Sequence, residues 1–110
     1  MSDESQIEIP QSFIALFVEP GRTKPNASRE HIAARYELCE DLANLLTQTA
    51  GTMQFSLGIT ERDVLERCQQ GLLLEDSVVT PTEAQWVICR LAELMQWPMP
   101  AALTVTGPQA

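Results

Sequence analysis

Nine apolar or aromatic residues, Ile32, Tyr36, Cys39, Leu42, Ala43, Leu46, Ala50, Met53 and Leu57, follow one another almost entirely at steps of three and four. Only an α-helix gathers such a series on one side, because positions three and four apart stack on the same face. The series predicts a helix that opens at Asn26 or Ser28, both good N-caps, with Glu30 in its first turn to suit the helix dipole. Gly51 lies inside the stripe and costs about 1 kcal/mol relative to Ala, which a packed face can absorb. The helix is therefore expected to reach Leu57 and stop at Gly58; a break near Gly51 is the alternative.

Further helices follow from local signals. Pro10 can take the first helical position of a short element in which Phe13, Leu16 and Phe17 share a face. Six consecutive apolar residues, 13–18, also suit a buried strand, but the surrounding Gln, Ala and Leu favour helix. Thr60 caps a helix that buries Val64, Leu65 and Cys68, closes at Gly71 and carries an Asp63–Arg67 pair. Thr80-Pro-Thr-Glu83 is the sharpest signal: a cap, a proline at the first position and a glutamate placed to complete a capping box. Ala84, Val87, Ile88, Leu91 and Met95 continue it to about Gln96, where Trp97-Pro-Met-Pro stops it. The expected fold is all-α, an irregular bundle of about four helices with a long second helix. One helical domain is expected over residues 1–110, with 1–8 and 98–110 as flexible ends.

Between the first two helices, residues 19–26 form a loop that contains Gly21-Arg-Thr-Lys-Pro. An apolar segment, a Gly- and Lys-bearing loop and a helix resemble the layout of a phosphate cradle. The mechanical requirements are not met. A P-loop needs a second Gly before its Lys and a Ser or Thr after it; here Pro25 follows Lys24 and removes a backbone donor. What remains is a cluster of cations, Arg22, Lys24, Arg29 and Arg35, four of the seven basic residues, around one helix start. That cluster is a candidate anion or partner site, the acidic segment of another protein being the expected ligand.

The net charge of −8 argues against nucleic acid and against anionic membrane surfaces. An acidic, polar start and apolar runs no longer than six residues give neither a secretory leader nor a span. Cys39, Cys68 and Cys89 form no C-x-x-C pair and read as reduced thiols on apolar faces, which points to the cytoplasm. The single histidine, His31, leaves no histidine metal site or catalytic triad, and Glu37, Glu40 and Asp41 read as a solvated acidic face. No cofactor and no catalytic set follow from these residues. A helix-turn-helix is set aside too, because the nine residues before Thr80 exceed its short turn. Trp86 and Trp97, three turns apart, are a candidate apolar interface, through which the chain could form a homodimer.

The stretches IPQSFIALFVEPGRTKPNASREHIAARYELCEDLA and LGITERDVLERCQQGLL…TPTEAQWVICRLAEL resemble a group of small uncharacterised proteobacterial proteins, over residues 7–97. Some of these carry the label "ATPase with chaperone activity". The resemblance implies a component of a nucleotide-dependent chaperone system, although no Walker motif has matching positions here. The residues themselves favour a small protein-interaction or adaptor module with an unidentified protein partner and no catalytic activity of its own.

Overall fold

Thr80 shows how local chemistry sets the helix starts. Its Oγ1 accepts from the Glu83 N–H at 3.1 Å, while Glu83 Oε1 accepts from the Thr80 N–H at 3.0 Å. Pro81, which has no N–H to offer, occupies the first helical position. The reciprocal box is worth about 1 kcal/mol to the helix end. It also explains how Glu83 can be only 4% exposed: each buried polar group has its partner.

The computed structural model describes residues 8–74 and 77–98, where every regular element is helical. In chain order these are α1 (Gln11–Ile14), a 3₁₀ turn (Ala15–Phe17), α2 (Arg29–Leu57), α3 (Glu61–Leu72) and α4 (Pro81–Met95). The chain is all-α, with the long second helix expected. The ends expected to be flexible, 1–8 and 98–110, lie almost wholly outside the described residues. Packing divides the chain into two units that share α2, the division falling between Leu38 and Cys39.

In the first unit the opening element is a helix rather than a strand, but a brief one that tightens into the 3₁₀ turn. Pro10 is its N-cap, not its first residue: the backbone there is extended, and its carbonyl accepts from the Phe13 and Ile14 N–H groups. Phe13 is fully buried. Its ring lies 5.6 Å from Phe17 and, edge-on, 5.6 Å from Tyr36; Phe17 in turn meets His31 edge-to-face at 5.9 Å. Such pairs add about 0.5–1.5 kcal/mol beyond the area they bury.

In the second unit α2 continues unbroken through Gly51. A side chain there would meet only the Met95 methyl, at an ordinary contact distance of 4.0 Å, so the space does not demand a glycine. Gly58, with φ of +63°, ends α2 in the left-handed conformation that Gly adopts without strain. Two residues later Thr60 caps α3 by accepting from the Asp63 N–H at 3.1 Å. The helix runs to Leu72, one residue past the expected closure at Gly71. Its i,i+4 ion pair is Arg62–Glu66 at 3.4 Å, one register earlier than Asp63–Arg67. Ala50, Val64, Leu65, Cys68, Ile88, Leu91 and Ala92 form a buried cluster, flanked by Leu46, Met53, Ile59, Leu72, Met95 and Trp97.

Candidate interaction surface

The connector into α2 is tied down by its own backbone. Glu19-Pro-Gly-Arg22 closes a turn through the Arg22 N–H to the Glu19 carbonyl at 3.0 Å, with Pro at the second position and Gly21 at φ +82° at the third. The Asn26 N–H donates to the Phe17 carbonyl at 2.7 Å, and Ser28 Oγ accepts from the His31 N–H at 3.1 Å. The Arg22 and Asn26 N–H groups are thereby spent on the fold rather than aimed at a ligand.

Of the four cations, Arg22 and Lys24 are exposed on this connector. Arg29 is exposed at the start of α2 and Arg35 half-buried. Six residues apart, these two leave the helix about 120° apart and so do not share a face. Arg29 edges a cavity of about 270 Å³ that is otherwise lined by Ile9, Ile14, Pro25, Ala27 and Ile32.

The two tryptophans also differ from the sequence picture. Gln96 turns into the left-handed conformation at φ 60°, and the Trp97 N–H folds back to the Ala92 carbonyl at 2.9 Å. Trp97 therefore leaves the helical path, and it packs against the buried cluster. Trp86 is half-buried.

Glu40 is not part of a solvated acidic face. Arg90 donates to it twice, Nε to Oε1 and Nη2 to Oε2, both at 2.9 Å, and its Nη1 donates to Glu93 Oε1 at 2.9 Å. The fork joins α2 to α4 in the planar geometry that Arg and carboxylate favour. Hydrogen bonding from Arg90 holds the Glu40 carboxyl below the usual carboxylate range, and Glu40 raises the arginine in return. Asn44 Nδ2 adds bonds to the Glu40 carbonyl and carboxylate at 2.8 and 3.3 Å. No local signal could have revealed a pair fifty residues apart.

All three cysteines are free; Cys39 and Cys68 are buried and Cys89 is half-buried. Burial pushes the Cys68 thiol up, and burial with the nearby Glu93 charge pushes Cys89 up, the opposite of what a nucleophile needs. Among the described residues no group of three His, Cys, Asp or Glu side chains converges as a metal site would, and no helix is long and apolar enough to cross a membrane.

The side of α2 turned away from the core is the surface that sequence reasoning missed. Leu45 is 71% exposed and Phe55 90%, and Leu57, expected on the core stripe, is 54% exposed. At about 100° per residue, Leu45, Thr49, Thr52 and Ser56 fall within about 60° of one another and point away from Ala43 and Ala50. Phe55 projects beside Thr52. Gln48, Thr49, Thr52, Met53, Ser56 and Leu57 line a shallow depression along the same rod. The signal was in the sequence: no charged residue stands between Asp41 and Glu61. Ordinary exposed helix faces carry charge, as α3 does with Arg62, Asp63 and Arg67.

Fold and surface together define a small all-α protein whose most unusual exposed feature is a charge-free helix side that carries Leu45 and Phe55 among uncharged polar residues. Neither a family model, nor a curated protein, nor a solved structure matches this chain.

Proposed function

We propose that this chain is a protein-interaction module, without catalytic activity of its own, and that it engages its partner through the uncharged half of α2. The observation that carries this reading is the exposure of Leu45 and Phe55 on a helix side with no charge. Depletion of charge with retention of aromatic and aliphatic side chains marks the centre of protein interfaces. The cationic connector is a weaker candidate because Arg29 and Arg35 diverge. The tryptophan pair is weaker because Trp97 is committed to the core. Three free thiols on an acidic chain suit a reducing compartment, and we place this work in the cytoplasm.

A photo-crosslinking amino acid at position 55, with position 67 on α3 as the control, tests the reading in living cells. The expected result is a discrete adduct from position 55 that the control lacks and that Leu45→Glu abolishes. Equal or absent adducts at the two positions would sink it.

A further inference from the structure

We propose that the cavity at the start of α2 binds a small amphipathic carboxylate, an anion with a hydrocarbon body of about six to ten carbons. The site lies wholly within the first packing unit and does not depend on the interaction-module reading above. Ile9, Ile14, Pro25, Ala27 and Ile32 make its apolar walls, and Arg29 is the one charged side chain among the described residues that line it. Four stretches of chain meet there: the residue two before α1, α1 itself, the connector and the first turn of α2.

The walls select the body of the ligand. Water set against five apolar side chains finds few of the roughly two to four polar partners it needs, so a hydrocarbon replaces it readily. The cavity holds about 270 Å³, a little under twice the ~150 Å³ that takes up a benzene, and this sets the carbon count. Arg29 selects the head group. A carboxylate matches its planar guanidinium with two parallel hydrogen bonds, whereas an ammonium group would meet like charge. Arg29 is also the first residue of the 29-residue α2, where the helix dipole adds a partial positive charge. The His31 and Ile32 N–H groups are already given to Ser28, so recognition of the anion falls to the guanidinium. Around it, residues 22–35 hold four of the seven cations of a chain that carries −8 overall, which makes this the stretch an anion approaches most easily. A single cation in the lining suits a monoanion.

Titration of the full chain with octanoate, followed by amide NMR shifts, tests the proposal. The expected result is saturable shifts at Ile14, Ala27, Arg29 and Ile32, with a Kd of about 0.1–1 mM for a ligand this small. Octylammonium, the same body with the opposite charge, should bind about tenfold more weakly, and acetate, which has no body, should give no saturable shift. Arg29→Gln should weaken octanoate about tenfold, leave octanol unaffected and keep the helical circular dichroism unchanged. Absence of saturable shifts up to about 10 mM octanoate overturns the proposal. Equal binding of octylammonium, an unchanged octanoate affinity in Arg29→Gln, or shifts centred on Leu45 and Phe55 overturn it too. A response of the same residues to a glutamate-rich peptide but not to octanoate gives the cavity to a protein partner and overturns the small ligand.

Discussion

The two parts of α2 share one helix and one burial period, yet they face their surroundings differently. Residues 29–41 carry Arg29, Glu30, Arg35, Glu37, Glu40 and Asp41; residues 42–57 carry no charge at all. Both parts bury a matching row, Ile32 and Cys39 in one and Ala43 and Ala50 in the other. Burial alone therefore cannot account for the contrast. The difference lies on the outward side, where the first part carries charges and the second only uncharged polar groups with Leu45 and Phe55 among them. Inward-facing residues specify the fold, whereas the charge on the outward side is free to differ between the two parts without altering it.

The core side of the second part should show the largest effect when broken. Leu91 is fully buried against it, and Leu91→Ala should cost about 2–5 kcal/mol in urea unfolding, while a charge-removing change such as Glu37→Gln in the first part should be near neutral. Next comes the fork that anchors the start of the second unit. Arg90→Ala should cost about 1–2 kcal/mol at neutral pH, a value that allows for partial exposure of both side chains. Because the folded Glu40 value is depressed, its contribution is present above the ordinary carboxylate value of about 4.3 and lost as pH falls through the lower folded value. Thermal melts of wild type and Arg90→Ala should thus converge in acid and stay apart at neutral pH. Persistence of the full gap at pH about 2 would show that the fork is not its source.

Gly51→Ala sharpens the comparison in the other direction. The added methyl meets Met95 at ordinary contact distance, so the gain in helix propensity, up to about 1 kcal/mol, should raise the urea midpoint. A lowered midpoint would mean that α4 needs the glycine for closer approach. Smallest of all is the outward side: Phe55→Ser should change monomer stability by no more than about 0.5 kcal/mol. A larger loss would show that the Phe55 ring is packed against the fold rather than standing in solvent.

Helix existence and the core rows were legible because they are written in local periodicity and caps: the Thr80–Glu83 box, the Thr60 cap and the Gly58 stop all stand where the residues put them. The opening element was harder. Whether Phe13, Leu16 and Phe17 sit on an α or a 3₁₀ turn depends on how Phe13 seats between Phe17 and Tyr36, which no local pattern encodes. Glu40 looked solvated because its partner Arg90 lies fifty residues away. Leu57 looked buried because periodicity assigns a face without saying where that face loses its cover. As for the candidate surface, the eye is drawn to charges and aromatics, and a run defined by lacking charge passes unnoticed until Leu45 and Phe55 are seen exposed.

The order of the helices has a consequence for how the protein is made. At about 5–20 residues per second, a ribosome needs about 2–8 s to travel from Leu57 to Met95. During that time α2 can form, yet α3 and α4, which cover Ala50 and its neighbours, do not exist in full. The stretch with the least charge is then bare on both sides. Its inward row waits for the rest of the chain, and its outward row stays open after synthesis ends. The segment with the least charge is thus also the one left longest without cover during synthesis.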